Sequence, residues 1–174
     1  EPILDFTFQD TWYPATDGEG FSLVIVNPNA STDTWAWKES WRPSTAFNGS
    51  PGVVDPVPPY LPGILITEAL THTDPPLLDT VELFNPTFNL VNLAGWFLTD
   101  DPHAPKKYRI PTGSFISPGG HLTFNSDQFG LGAQGFNFSS TGDQVYLFSA
   151  DASNNLTGYA QGFEFGAATK QVCF

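Results

Sequence analysis

Short apolar runs separated by turn residues follow one another along the chain after residue 62. Runs of this kind, bounded by Gly, Pro, Asn or Asp, are typical of β-strands. No segment shows the 3.6-residue period of an amphipathic helix. The pattern predicts strands at 64–70, 80–84, 96–99, 107–110, 121–125, 144–149 and 158–165. Short strands at this spacing predict an all-β chain built as a β-sandwich.

The first third of the chain has a weaker pattern. Strand-like runs occur at 4–8 and 21–26, and the second follows the turn sequence Asp-Gly-Glu-Gly at 17–20. A segment rich in proline and glycine comes next, and it leaves little chance of regular strand pairing. We therefore predict an N-terminal β extension at 1–52, a proline-rich linker at 53–62 and the sandwich at 63–174.

Alternation within the predicted strands assigns side chains to two faces. Val81 and Leu83 point to one face of their strand, and the residues between and after them point to the other. Glu68 is an exception, because it has the parity of the apolar residues Ile64 and Ile66. Either a bulge or a strand end turns this carboxylate outward, or it serves a ligand site.

Composition and charge limit the classes of partner. The formal net charge is −12, and Lys plus Arg total only 6, so a phosphate backbone would be repelled and nucleic acid is not expected as a partner. The cations at 106, 107 and 109 are interpreted as a charged strand face. The lone Cys173 cannot form an internal disulfide. No apolar run approaches the ~20 residues of a transmembrane helix.

Five segments, in order, resemble the lamin tail domain as it occurs in bacterial extracellular proteins. They are ILITEA at 64–69, TVELFNP at 80–86, VNLAGWFLTDD at 91–101, YRIP followed by ISPGGHL at 108–122, and FSS followed by GDQVYL at 138–147. The resemblance implies an immunoglobulin-like β-sandwich without catalytic activity. It also implies a structural or adhesive module within a larger secreted or cell-surface protein. The nuclear roles of lamins are not carried over, because the sequence has no heptad rod and no basic tail.

The ends of the chain depart from a single copy of that pattern. Residues 3–52 resemble the closing third of a preceding copy, and the second copy looks truncated at its C-terminus. We therefore expect a chain cut from a tandem array. One hypothesis is that residues 3–26 supply the missing strands, within the chain or in a neighbouring copy.

Candidate chemistry is sparse in this sequence. The three histidines have no metal-ligand spacing, and no Gly-x-Ser-x-Gly or phosphate-binding loop is present, so we do not expect an enzyme. The acids Asp100 and Asp101, together with Asp79, are a candidate calcium site, because Ca²⁺ accepts several oxygen ligands in loose geometry. No other cofactor is predicted.

Aromatic residues near the N-terminus suggest a second candidate site. A stacking platform for carbohydrate or protein would be formed by Trp12, Tyr13, Trp35, Trp37 and Trp41. The expected partners are other domains of the parent protein or further copies of the chain, with carbohydrate as an alternative. A fibre subunit assembled by strand exchange is the remaining alternative. The predicted location is extracellular or at the cell surface.

Overall fold

The computed structural model describes residues 5–18, 20–55 and 62–167. The chain divides into two compact units, Glu1–Pro59 and Tyr60–Phe174. The division lies inside the segment that the sequence predicts as a linker. Part of that segment, part of the predicted strand at 4–8 and Cys173 lie outside the described residues.

The first unit contains a two-stranded antiparallel sheet of β1 (Leu23–Ile25) and β2 (Trp41–Pro43). Among the described residues of this unit, the buried apolar side chains are Ala15 and Phe21. Residues 5–8 form no strand, contrary to the prediction. Phe6 instead stacks its ring on Trp41, with centroids 5.1 Å apart.

Asp55 ties the start of the predicted linker to the first unit. Its buried carboxylate accepts hydrogen bonds from Arg42 Nη1 at 2.5 Å, Ser50 Oγ at 2.8 Å and Thr45 N at 3.2 Å. Burial alone would raise the pKa of Asp55, but these hydrogen bonds and the Arg42 charge outweigh it and lower the pKa below its usual 3.8. The chain as far as Asp55 is therefore part of the first unit.

Most strands belong to the second unit. They are β3 (Leu65–Leu70), β4 (Thr80–Phe84), β5 (Val91–Asn92), β6 (Phe97–Thr99), β7 (Tyr108–Arg109), β8 (Phe115–Ile116), β9 (His121–Asn125), β10 (Gly142–Ala150) and β11 (Leu156–Gly166). One sheet has the order β11-β10-β6-β7 and another the order β3-β4-β9, while β5 and β8 form a two-stranded ribbon. All these pairings are antiparallel. A short helix, α1 (Ser126–Phe129), follows β9.

The core of the second unit lies between its sheets. Val81 and Leu83 of β4 are fully buried in one cluster with Val145 and Leu147 of β10. The predicted facing of Val81 and Leu83 is thus confirmed. The ribbon contributes Val91 and Ile116 to the same cluster. The prediction of an all-β sandwich therefore agrees with the observed layers.

Side chains close one edge of this sandwich. The Tyr159 hydroxyl of β11 donates to the backbone oxygen of Ile64 at 2.6 Å, and the Gln161 side-chain oxygen accepts from Ile66 N at 2.7 Å. Burial raises the pKa of Tyr159 to about 12. Within the described residues no ladder connects the two sheets, and these two contacts join β11 to the β3 segment.

A β-bulge in β3 explains the parity of Glu68. Ile66 pairs with Leu83, and Glu68 pairs with Glu82, so Thr67 is an extra residue in the ladder. Beyond the bulge Glu68 is exposed and Ala69 is buried. The bulge interpretation is therefore the correct one of the two that the sequence left open.

Other elements differ from the sequence prediction in length. β4 and β9 have the predicted bounds, whereas β5, β8 and α1 were not predicted. The strand predicted at 21–26 is shortened to β1, which pairs with β2 of its own unit. The described part of residues 3–26 thus has a strand partner within its own unit, and the hypothesis that these residues supply closing strands stays a prediction.

Candidate interaction surface

Asn85 organises the loop between β4 and β5. Its side chain is fully buried, and its amide nitrogen lies within hydrogen-bonding distance of the backbone oxygens of Asn89 (2.7 Å), Ile116 (3.0 Å) and Ser117 (3.2 Å). Its side-chain oxygen accepts from Thr87 N at 3.0 Å and Thr87 Oγ1 at 2.7 Å. One residue thus fixes residues 86–89 against the end of β8.

The β5–β8 ribbon has one buried and one exposed face. Val91 pairs with Ile116 on the buried face, and Asn92 pairs with Phe115 on the exposed one. Leu90, directly before β5, is 62% exposed, and Phe115 of β8 is 49% exposed. The ribbon and the residue that precedes it therefore expose two large apolar side chains.

Phe88 adds a third apolar side chain at this end of the unit. It lies in the loop that Asn85 holds, and it is 96% exposed. We name Phe88, Leu90 and Phe115 the apolar ribbon patch. An exposed contiguous apolar patch marks an interaction site, whereas single exposed apolar residues are ordinary. These three exposed side chains lie on or next to the ribbon and its preceding loop.

The outer face of the β3-β4-β9 sheet carries a polar cluster. The Glu82 carboxylate accepts from Thr67 Oγ1 at 2.7 Å and lies 2.9 Å from His121 Nδ1. The Thr67 hydrogen bond, with a smaller contribution from His121, lowers the pKa of Glu82 despite partial desolvation. The His121 ring also contacts the Phe84 ring, with centroids 4.7 Å apart. These contacts fix side chains across three strands and stabilise the sheet face.

The three predicted calcium ligands have other partners. Asp100 forms an ion pair with Lys107 at 2.6 Å, and the Asp101 carboxylate accepts from the backbone N of His103 at 2.9 Å. Asp79 accepts from Thr73 Oγ1 at 2.7 Å, and burial raises its pKa. Within the described ranges, no group of three or more His, Cys, Asp or Glu side chains could hold a metal ion. Calcium binding stays a prediction, and no ligand cluster among the described residues supports it.

The predicted aromatic platform is mostly packed within the first unit. Trp35 and Trp41 contact each other edge to face, with centroids 5.7 Å apart, and Trp41 Nε1 donates to the Trp35 backbone oxygen at 2.6 Å. The Tyr13 hydroxyl donates to the Trp41 backbone oxygen at 2.8 Å. Trp12 is half-buried, and Trp37 is 60% exposed. Of the five rings, only Trp37 presents most of its surface to solvent.

The sequence contains a signal for two residues of the apolar ribbon patch that does not depend on hydrophobic periodicity. Phe88 and Leu90 are large apolar residues directly after the Asn85-Pro86 turn, where polar residues are the usual choice. Phe115 was missed because its strand contains only two residues.

Comparison with known proteins identifies one family. The family model described as Lamin Tail Domain matches residues 59–162, more than half of the 174-residue chain. No curated protein matches the chain, and no solved structure matches it. In the part of the chain that the structure describes, no helix has the length and apolar character needed to cross a membrane.

Proposed function

Because the chain belongs to the lamin tail domain family, whose immunoglobulin-like fold is generally non-enzymatic, we propose that it is a non-catalytic interaction module. The module has a structural or adhesive role in a larger secreted or cell-surface protein. Its partners are neighbouring domains of that protein or further copies of the same chain.

The apolar ribbon patch is the observation that carries this proposal. A phenylalanine that is 96% exposed costs solvation free energy unless a partner covers it. Asn85 holds its loop in place, so the side chain is presented on a fixed backbone. Presentation of this kind lowers the conformational entropy that binding must overcome.

An excess of acidic over basic residues is common among secreted proteins, and this compositional association supports a location outside the cell. The charge of −12 keeps copies of the chain soluble through mutual repulsion. Association through the patch would therefore be weaker at low salt, where this repulsion acts over a longer distance.

The two alternatives from the sequence have less support. A carbohydrate platform would need several coplanar exposed rings, whereas Trp35 and Trp41 contact each other at an interplanar angle of 78°. For a fibre formed by strand exchange, β1 is not a free donor strand, because it pairs with β2 of its own unit.

Sedimentation velocity over a concentration series tests the homotypic form of the proposal. We expect the purified chain to associate at high concentration, and we expect Phe88→Ser combined with Phe115→Ser to abolish the association. Leu131→Ser is the matched control, because Leu131 is 72% exposed and lies outside the patch. Association that persists in the double variant would exclude the patch as the contact surface.

A further inference from the structure

Among the residues that the structure describes, strand β1 of the first unit has a partner strand on one edge only. Ser44 N donates to Ser22 O at 2.8 Å, and Val26 N donates to Ser40 O at 2.8 Å. Hydrogen-bonded pairs alternate with non-bonded pairs in an antiparallel ladder. Leu23, which is opposite Pro43, and Ile25, which is opposite Trp41, therefore direct their N–H and C=O groups away from β2. The absence of an N–H on Pro43 agrees with this assignment.

A groove runs along this same edge. Four consecutive residues, Ser22 to Ile25, line one of its walls, and its volume is about 430 Å³. Successive side chains of a strand point to opposite faces, so four consecutive side chains cannot all lie on one face of the sheet. We infer that these four residues line the groove with their shared backbone edge. The opposite wall is the segment from Asn48 to Asp55. Within the described residues, no strand occupies the space between the two walls.

The far wall is fixed by contacts within the first unit. Asn48 N donates to Gly20 O at 2.6 Å, and Gly49 lies so close to Ser22 that an added Cβ would be 2.6 Å from Ser22 Oγ. At the other end, Asp55 is held by the hydrogen bonds from Arg42 and Ser50. Because both ends are anchored, the groove is formed before any ligand binds.

We propose that the β1 groove binds an extended polypeptide segment by strand addition. The segment lies beside β1 and exchanges main-chain hydrogen bonds with Leu23 and Ile25, the mode by which peptides are added to exposed sheet edges. Val53, which is 72% exposed, lines the groove and contacts the side chains of the bound segment. The groove lies outside residues 59–162, which match the lamin tail model. This proposal therefore does not depend on the function proposed above for the lamin tail region.

Charge selects the kind of segment. The chain has 18 acids against 6 Lys and Arg, and in the first unit Arg42 is engaged by Asp55. An acidic segment would be repelled, a basic one would be attracted, and a neutral one would not be repelled. The occupant is therefore a neutral or basic extended segment of another polypeptide.

A displayed library of random ten-residue peptides, selected on the whole chain, tests the proposal. We expect neutral or basic peptides to be enriched and to bind Ile25→Pro about tenfold more weakly, because proline removes one outward N–H and leaves the β1–β2 ladder intact. Methylation of alternate peptide amides should abolish binding. No enrichment, or equal binding to Ile25→Pro, would overturn the proposal.

Two adjacent valines provide a control that does not alter the strand. Val53 lines the groove, whereas Val54 does not line it and is 93% exposed. Val53→Arg should prevent binding at peptide concentrations that saturate the original chain, and Val54→Arg should leave binding unchanged. Equal effects of the two substitutions would contradict the assignment of the groove.

Hydrogen exchange of the free chain supplies an independent check. The amides of Leu23 and Ile25 should exchange fast without peptide and become protected when the selected peptide is added. Slow exchange of both amides in the free chain would show that the edge is already paired, and it would overturn the proposal.

Discussion

Replacing Asn85 by alanine should strongly destabilise the second unit. The substitution removes five contacts, three to backbone oxygens and two to Thr87. The amide nitrogen has two hydrogens and the oxygen two lone pairs, so these contacts amount to at most about four full hydrogen bonds. At about 1 kcal/mol for each hydrogen bond, the loss has an upper range of about 4 kcal/mol. Thr87 and Asn89 lie near solvent, where water replaces part of what is lost. We therefore expect about 3 kcal/mol of destabilisation.

Hydrogen exchange in urea, measured peptide by peptide, gives the stability of the second unit separately from that of the first. With a urea dependence of roughly 1–3 kcal/mol per molar, the expected loss moves the unfolding midpoint of β4 and β9 peptides down by about 1–3 M. Asn89→Ala is the matched control, because its exposed side chain is removed while its backbone oxygen remains. We expect that control to change stability by less than about 0.5 kcal/mol.

Asn85→Asp separates the hydrogen-bonding argument from a volume effect. The carboxylate keeps the acceptor for Thr87, but it places negative charge against three backbone oxygens. It should be as destabilising as alanine at neutral pH, and it should recover stability at acid pH, where the protonated group can donate. If Asn85→Ala were as stable as Asn89→Ala, or if Asn85→Asp were as stable as the original chain at neutral pH, the Asn85 hydrogen bonds would not stabilise the second unit.

Four further predictions concern other parts of the chain. Since burial raises the pKa of Tyr159 from 10.0 to about 12, its contribution to stability is complete below about pH 10 and declines as pH rises towards 12; Tyr159→Phe should reduce the alkaline loss of stability in urea titrations, to which the raised pKa values of Tyr108 and Tyr146 also contribute. Since the folded pKa of Asp55 is lowered, its contribution is present above pH 3.8 and is lost as pH falls through the folded pKa; Asp55→Asn should lower the exchange protection factors of the first unit and reduce their dependence on acid pH. Deletion of Thr67 should cost less than about 1 kcal/mol, because the strand keeps its core positions, whereas deletion of Glu82 should unfold the second unit in thermal denaturation. Calorimetric titration of the metal-free chain with Ca²⁺ tests the calcium prediction: heat together with a raised melting temperature would confirm it, and the absence of both, which we expect from the other partners of these acids, would exclude it.

The sequence predicted best those strands whose pattern is strict. β4 and β9 have the predicted bounds, because turn residues flank them and Val81 and Leu83 alternate with polar positions. β5 and β8 were missed because two residues are too few to show a period. Their place in the fold depends on the buried side chain of Asn85, which no local pattern reveals.

The structures of the candidate sites are determined by tertiary contacts that cannot be inferred from the sequence alone. Adjacent acids predicted a calcium site, but Lys107 lies close enough to pair with Asp100. Clustered tryptophans predicted a binding platform, but Phe6 inserts against Trp41 and Trp35. The parity of Glu68 could be interpreted only once the register across β4 was known.

Site-specific photo-crosslinking in the intact parent protein tests the interaction role most directly. A benzophenone side chain replaces Phe88 in one variant and Leu131 in the other, both being exposed positions of the second unit. We predict crosslinks from position 88 to a neighbouring domain or a second copy, and none from position 131. No crosslink at position 88, or equal crosslinking at both positions, would contradict the claim that the apolar ribbon patch is an interaction surface.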